Sequence, residues 1–335
     1  MMTIEEIESA CDASLPLDFS RHPHEGPELA LQGRYYPYGF PAEVRTNSAQ
    51  ILSQFEAIWG GFQQRCNTEP IQIYVHVVET DSMECPPLPT FRWMQPLLVF
   101  AADADNYSVM DPSQNRVQMT ISRALEKHQQ YLRSFFLEGA AGNHIAKRYA
   151  APVHAGCVAL DGRGILLCGD SGAGKSSLAY GCARAGWTFV SDDASFVLTC
   201  GDRMVAGNCY LVRLRPTAAA LFPELEGMEI TRRGDGKPSV ELPTPKQPHM
   251  ICAQDTRVDY MVFLNRRTGG PPGLVPYRKD VAWNAARQFV HGSKEETAAH
   301  YKALERLMAV EVLELRYTDM DWAIDRLKTL VREGH

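Results

Sequence analysis

The residues best suited to chemistry form a glycine-rich run that ends in Lys175 and Ser176. Residues 169–176 fit the pattern G-x-x-x-x-G-K-S of phosphate-binding loops (P-loops). In that pattern backbone N–H groups surround a phosphate, the lysine reaches the β- and γ-phosphates, and the serine hydroxyl binds Mg²⁺. The sequence therefore predicts ATP and Mg²⁺ as ligands. The residues expected to bind the nucleotide are Gly169, Asp170, Ser171, Gly172, Ala173, Gly174, Lys175, Ser176 and Ser177.

The segments on both sides of the glycine-rich run support this interpretation. The apolar run 165–168 predicts a buried strand, and residues 176–185 have the composition of a helix that stops at Gly186. A strand, a glycine loop and a helix in this order direct several N–H groups and the positive end of the helix at one anion. The alternative is a glycine-rich turn that only joins a strand to a helix.

Two adjacent carboxylates, Asp192 and Asp193, follow the next predicted strand, residues 187–191. Ligands of open α/β sheets bind at the carboxyl ends of the strands, and adjacent strand residues point to opposite faces. We expect Asp192 to accept the proton of an acceptor hydroxyl and Asp193 to hold Mg²⁺ together with Ser176, although the order of the two could be reversed. A solvated turn is the alternative.

From His154 to Asp193 the sequence resembles the catalytic core of the bacterial HPr kinase/phosphorylase family, which shares its nucleotide-binding fold with phosphoenolpyruvate carboxykinase. The matching features are the upstream histidine, the glycine-rich run and the aspartate pair. The resemblance is strong over residues 150–200, faint from there to about residue 330, and absent from residues 1–145. It implies a serine kinase in which His154 orients the base. Asp192, His154 and Lys175 are therefore the expected catalytic residues.

One segment of that family has no counterpart here. The family carries a glutamate ahead of an arginine, whereas the nearest segment, residues 208–216, has Arg213 and Arg215 but no acidic residue. The resemblance therefore supplies no second metal ligand. The alternation of the two arginines predicts that they share one face of a strand, where either could bind the transferred phosphate. Pairing with acidic neighbours is the alternative.

Composition narrows the class of protein. A chain of 335 residues with a formal net charge of -6 can bury an ample core and is not expected to bind nucleic acid or an anionic membrane. Nine cysteines without a C-x-x-C pair predict reduced thiols. No apolar run approaches the length of a membrane span, and the acidic start does not resemble a signal peptide. We therefore expect a cytoplasmic protein.

The pattern of the chain predicts an α/β protein with three regions. These are an N-terminal extension (1–30), a small α+β domain of unknown role (31–145), and a nucleotide-binding catalytic domain (146–335). The fold class is a P-loop core like that of HPr kinase and phosphoenolpyruvate carboxykinase, preceded by the smaller α+β domain.

Local patterns predict several elements within these regions. We expect a helix that begins near Ser48 and ends at Phe62, a strand at residues 71–78, and two helices within 122–148 that are separated at Gly139–Gly142. Residues 231–238 and 243–248 predict irregular structure, which could be a lid, an acceptor-binding segment or a surface excursion.

The predicted function is ATP- and Mg²⁺-dependent transfer of a phosphoryl group to a hydroxyl. The favoured acceptor is a serine of a protein or peptide. Such transfer depends mainly on positioning and charge stabilisation. A small-molecule kinase and a nucleotide-binding scaffold without catalysis remain open. The aspartate pair argues against the scaffold, because a binding site does not require a base. Oligomerisation is also open.

Overall fold

The computed structural model describes residues 29–94, 97–232, 236–266 and 270–334, together with Ser9. The chain divides into two compact units, Met1–Ile145 and Ala146–His335. Both are mixed α/β, and the described residues form one sheet in the first unit and two in the second. Apart from Ser9 and residues 29–30, the predicted N-terminal extension lies outside the described residues.

The first unit contains a mixed seven-stranded sheet in the order β1-β2-β3-β7-β6-β5-β4, with parallel pairing of β2 with β3 and of β3 with β7. Alternating buried and half-buried residues along the third strand match the predicted half-buried strand. The strands are β1 (Leu31–Tyr35), β2 (Ala42–Thr46), β3 (Ile71–Val78), β4 (Thr90–Met94), β5 (Leu97–Asp103), β6 (Asn106–Asp111) and β7 (Arg116–Ser122).

Helix α1 (Ala49–Trp59) buries one face of regularly spaced apolar residues in the first unit. It ends earlier than predicted, because Gly60 and Gly61 follow and glycine is a poor helix former. Phe62 nevertheless remains buried, with its ring 5.1 Å from that of Trp59. Ser48 precedes the helix, but its hydroxyl donates to the carboxylate of Glu126 instead of capping the helix.

The helical end of the first unit differs from the prediction. A turn of α-helix (Gln129–Tyr131) continues into a π-helical segment (Leu132–Leu137) and then into helix α2 (Glu138–Arg148). The expected interruption at Gly139–Gly142 is wrong, since both glycines lie inside α2. Ala140, Ala141 and Gly142 are buried there. The packing of this small-residue face outweighs the cost of a helical glycine, about 1 kcal/mol relative to alanine.

The second unit contains four helices and thirteen strands among the described residues. The helices are α3 (Lys175–Arg184), α4 (Lys279–Arg287), α5 (Lys294–Leu307) and α6 (Met320–Glu333). The strands are β8 (Ala150–Val153), β9 (Ala155–Leu160), β10 (Arg163–Cys168), β11 (Thr188–Ser191), β12 (Ser195–Leu198), β13 (Met204–Gly207), β14 (Leu211–Leu214), β15 (Ile230–Arg232), β16 (Pro238–Pro243), β17 (Ile251–Cys252), β18 (Asp255–Arg266), β19 (Gly273–Pro276) and β20 (Glu311–Tyr317).

The larger sheet of this unit is built around three parallel strands, β10, β18 and β20. The sheet runs in the order β17-β11-β9-β10-β18-β13-β12-β8, while β20 pairs with β18 and β19. Residues 260–264 of β18 are all buried, as expected for a central strand covered on both faces. The three parallel strands end at one edge of the sheet, which is the edge where ligands of such sheets bind.

A separate antiparallel sheet is formed by β14, β16 and β15. The prediction of irregular structure at residues 231–238 and 243–248 is therefore wrong in part. Strands β15 and β16 pair there, with Ile230 opposite Val240. Residues 233–235, which join the two strands, lie outside the described residues. Strand β16 has a proline at each end. Prolines are tolerated at strand ends, so they do not exclude a strand here.

The cysteines also differ from the prediction. Cys66 and Cys200 are each part of a disulfide, so the expectation of reduced thiols throughout is wrong. Sequence spacing does not reveal which cysteines approach one another in a fold. Cys168 beside the glycine loop is free and buried, and burial raises the pKa of its thiol to about 12. Within the described residues, no helix combines the length and the apolar character needed to cross a membrane.

Gly156 in β9 allows the strand to approach the turn after β11. A Cβ at this position would lie 2.8 Å from the backbone oxygen of Asp192, which cannot move aside as a flexible side chain can. We expect Gly156→Ala to lower the free energy of unfolding by about 1–3 kcal/mol, as measured by urea denaturation. Gly273→Ala is the control, because nothing lies within 4 Å of its Cβ. Equal stability of the two variants would refute this packing argument.

Candidate functional site

The glycine-rich loop joins β10 to α3, so the strand and the helix that the sequence predicts on its two sides are present. Gly169 has φ 146° and Gly174, which precedes the helix, has φ 99°. Only glycine adopts these conformations without strain. At Gly169 a Cβ would also lie 2.9 Å from that of Ala173. Both glycines are therefore required by the path of the backbone. Nucleotide binding by this loop remains a prediction.

Lys175, the first residue of α3, is buried, with 3% of its surface exposed. Its ammonium group donates to the backbone oxygens of Gly169 at 2.8 Å and of Asp170 at 3.1 Å. It also lies 3.3 Å from the Oδ1 atom of Asp193. The loop thus folds around the lysine, and the positive charge is held against the first two residues of the loop.

His154 and Asp193 are joined by a hydrogen bond next to this lysine. The Nε2 atom of His154 lies 2.9 Å from Oδ1 of Asp193, and each side chain is 30% exposed. Burial alone would raise the pKa of Asp193, but the hydrogen bond from His154 and the charge of Lys175 outweigh it and hold the pKa at about 2. The carboxylate is therefore ionised at neutral pH. His154 lies between β8 and β9 and is not part of either strand.

The side chain of Asp192 has a different partner from those of Asp193. It is 7% exposed, and its Oδ2 atom accepts a hydrogen bond of 2.8 Å from the backbone N–H of Arg213. The structure therefore brings Asp193, His154 and Lys175 together and does not bring Asp192 to them.

A cavity of about 760 Å³ opens beside these residues, and we call it the basic cavity. Asp193 is the one acidic residue that lines it in the described part of the chain. Serines of the loop, Ser171, Ser176 and Ser177, contribute hydroxyl groups to its wall. The basic residues that line it are His154, Lys175, Arg213, Arg215, Lys237 and Arg266. Its charge suits a polyanion.

The two arginines predicted near the phosphate both reach this cavity, but by different routes. Arg213 lies in β14 and pairs with Glu241 at 3.2 Å, which agrees with the alternative of an acidic neighbour. Arg215 lies beyond the end of β14, so the predicted alternation along one strand does not hold. Its guanidinium group donates to Oγ of Ser171 at 3.3 Å. Arg215 thus directly contacts the glycine-rich loop.

Arg266, Phe289 and Lys237 line the basic cavity and were not assigned to the site from the sequence. Arg266 is the last residue of the long buried strand β18. Its position at the carboxyl end of a central strand is the sequence feature that could have assigned it to the site. The Phe289 ring lies 6.3 Å from that of His154 in an edge-on arrangement. No local pattern marks Phe289 or Lys237, because each reaches the cavity from a distant part of the chain.

The donors in the cavity are of the kind that Mg²⁺ accepts. Among the described residues no group of three or more His, Cys, Asp or Glu side chains could hold a metal by itself. Mg²⁺ is instead commonly bound by one or two carboxylates, waters and substrate phosphates. The Ser176 hydroxyl and the Asp193 carboxylate, which both line the cavity, fit such a site.

Comparison with known proteins finds a distant likeness among solved structures only at low sequence identity. No family model matches the chain, and no curated protein matches it. Among solved structures, the HPr(Ser) kinase/phosphatase from Coxiella burnetii is similar at 13% sequence identity and a TM-score of 0.32, over 54% of this chain and 93% of that chain. A likeness of this degree assigns neither a family nor an activity to the chain.

The low pKa of Asp193 can be measured directly by NMR titration of its carboxyl carbon. We expect a pKa of about 2, below the ordinary 3.8, and a rise toward that value in His154→Ala. His249→Ala, which removes an exposed histidine elsewhere in this unit, should leave it unchanged. Because the pKa is lower in the folded state, the ionised carboxylate stabilises the fold above pH 3.8, and this contribution is lost as the pH falls through about 2. An ordinary pKa in the parent protein would be evidence against these contacts of Asp193.

Proposed function

We propose that the second unit binds ATP with Mg²⁺ and transfers the γ-phosphoryl group to a hydroxyl, with a serine of a protein or peptide as the favoured acceptor. One observation carries the proposal. The buried Lys175 and the His154–Asp193 pair meet beside the glycine-rich loop, at the wall of a cavity rich in basic residues. Phosphoryl transfer needs this combination of a phosphate cradle, a cation and a carboxylate more than it needs covalent chemistry.

The basic cavity suits a triphosphate in both size and charge. Its volume of about 760 Å³ is within the range of small-molecule sites, ~300–1,000 Å³. The glycine-rich loop would present N–H groups to the phosphates, as such loops do ahead of a helix. Arg215 and Arg266 would bind phosphate oxygens, because the planar guanidinium group can donate two parallel hydrogen bonds.

Ser176 and Asp193 are the residues that would hold Mg²⁺. When bound, this ion would neutralise charge on the β- and γ-phosphate oxygens. Lys175 would donate to the same phosphates from its place at the start of α3. These residues therefore bind and orient the triphosphate before any proton moves.

A group at the cavity wall must take up the proton of the hydroxyl that receives the phosphoryl group. The sequence assigns this role to Asp192, but the Asp192 carboxylate is buried against the backbone of Arg213 and does not line the cavity. We assign it instead to the His154–Asp193 pair, since histidine is the most frequent general base in enzymes. Asp193 would hold the ring through Nε2 while the other ring nitrogen takes the proton. The acceptor oxygen then bonds to the γ-phosphorus as the bond to ADP breaks. Asp193 as the direct base is the alternative.

The nucleotide site is tested by Lys175→Met, which keeps the apolar stem of this buried side chain and removes its charge. We expect ATP affinity, measured by calorimetry, to fall below detection, because the β- and γ-phosphates lose their main cation. Lys328→Ala, an exposed lysine in α6, is the matched control and should bind ATP like the parent protein. Circular dichroism would verify that the variant is folded. Undiminished ATP affinity in folded Lys175→Met would exclude this assignment of the loop.

The roles of the two aspartates can be distinguished by making the same substitution at each of them. Asp193→Asn should slow phosphoryl transfer by up to about 10²–10⁴-fold, the usual contribution of a positioned base, because His154 then loses the carboxylate that holds its ring. Asp192→Asn should keep a turnover close to that of the parent protein, because the amide oxygen can still accept the N–H of Arg213. The measurement is turnover of radiolabelled ATP with serine peptides.

The pattern of losses also distinguishes the alternatives. A large loss in Asp192→Asn alone would restore Asp192 as the base. A loss of ATP affinity in Asp193→Asn that recovers at higher Mg²⁺ concentration would identify Asp193 as a metal ligand. If the parent protein binds ATP and transfers phosphate to no acceptor, the scaffold function replaces the kinase.

A further inference from the structure

A second cavity of about 470 Å³ adjoins the basic cavity. Val153 and His154 line both, so the two meet at the proposed base. Gly169 and Asp170, the first residues of the glycine-rich loop, also line the second cavity. The remainder of its wall comes from β9, β10, β18, β20 and α4, together with Tyr277 and Gln288. No part of the proposed function described above uses this space.

The position of Lys175 indicates which end of a bound triphosphate faces the second cavity. The lysine of such a loop contacts the β- and γ-phosphates, and here its ammonium group lies against Gly169 and Asp170. The γ-phosphate would therefore lie at the start of the loop, beside the second cavity. The later loop residues, Ser176 and Ser177, line the basic cavity, so the rest of the nucleotide would extend there.

We propose that the second cavity binds the molecule that receives the phosphoryl group, and we call it the acceptor cavity. The inference rests on the proposed function, and it names the place and the chemistry of the second substrate. A hydroxyl that enters from this side meets His154 first and has the γ-phosphate in front of it. The nucleotide and the acceptor would thus approach the transferred group from opposite sides, as in-line transfer requires.

The charge of the acceptor cavity is opposite to that of the basic cavity. Among its described lining residues there is no lysine or arginine, whereas the carboxylates of Asp170 and Glu314 are present. Glu314 is already paired with Arg316 at 2.7 Å. Asp170 is exposed, and its carboxylate forms no ion pair within the described part of the chain. Asp170 is therefore the group best placed to recognise a positive charge on the acceptor.

The floor of the acceptor cavity is apolar and partly aromatic. The rings of Phe263 and Tyr277 stack with centroids 4.4 Å apart and an interplanar angle of 18°. Met261 lies on the same face of β18 as Phe263 and also lines the cavity, and Ala285 lines it from α4. The chemistry of the cavity thus selects an acceptor that carries an apolar group and a cationic group close to its hydroxyl. Such a group occurs in a serine flanked by apolar and basic residues, and in a free amino alcohol.

The proposal can be tested with a substitution that narrows the acceptor cavity and leaves the nucleotide site unchanged. Val281 lies on the cavity face of α4 and is 37% exposed, so Val281→Trp can fill the space without repacking the core. Asn284→Trp adds the same side chain to an exposed position of the same helix that does not line the cavity. The probes are two serine peptides with leucine on one side of the serine and either lysine or glutamate on the other, together with serine amide as a free amino alcohol.

We expect transfer to the lysine peptide to exceed transfer to the glutamate peptide at least tenfold. In Val281→Trp the KM for the lysine peptide should rise about tenfold or more, which is the effect of losing one well-packed contact region, about 1.4 kcal/mol. The KM for ATP and the ATP affinity should not change. Asn284→Trp should behave like the parent protein in both respects. Efficient transfer to serine amide, lost in the same variant, would identify a small amino alcohol as the source of this chemistry.

Two results would overturn the inference in different ways. If Val281→Trp leaves the acceptor KM unchanged, or if the glutamate peptide is preferred, the acceptor binds elsewhere and the kinase function stands. If ATP binds but neither the peptides nor serine amide receive phosphate, both the inference and the proposed transfer are wrong. Because ATP affinity is measured separately, the two failures are distinguishable.

Discussion

The site depends on one constraint, which is that the ammonium group of Lys175 lies almost out of reach of solvent. A buried charge costs several kcal/mol unless it is paired and hydrogen-bonded. Here two backbone oxygens of the loop and the carboxylate of Asp193 compensate it. The loop can turn those oxygens inward because Gly169 and Gly174 adopt positive φ. The path of the loop, the start of α3 and the end of β11 are thus all fixed around a single cation.

Around this cation the second unit separates charge between two adjoining cavities. The basic cavity collects arginines and lysines from α3, from β14 and β18, and from the segments next to β14 and β16, while the acceptor cavity contains carboxylates and an apolar floor. His154 lies where the two meet, and its partner Asp193 carries a charge that is stable to low pH. Electrostatic complementarity of this kind contributes more to specificity and orientation than to raw affinity. A polyanion and a cationic acceptor would therefore be directed to different sides of the same imidazole.

The sequence predicts those features that depend on short-range patterns. The strand β3, the strand before the glycine-rich loop and the helix after it follow from periodicity and from the loop motif, since each signal lies within a few residues. Adjacency alone could show that Asp192 and Asp193 face opposite sides but not which one faces the ligand. Arg266 and Phe289 reach the site from distant elements, and local patterns carry no information about them. Packing likewise decided that Gly139 and Gly142 stay in a helix.

The two adjacent aspartates contribute to the site through different contacts. Asp193 faces the cavity and pairs with His154 and Lys175. Asp192 receives the backbone N–H of Arg213, and in this way it fixes the strand whose residues form part of the basic wall. Gly156 leaves room for the backbone of Asp192 to pack against β9. Since a buried carboxylate that accepts a backbone N–H holds its partner firmly, Asp192 shapes the basic cavity without lining it. The turn after β11 thus links the charged group of one cavity to the arginine wall of the same cavity.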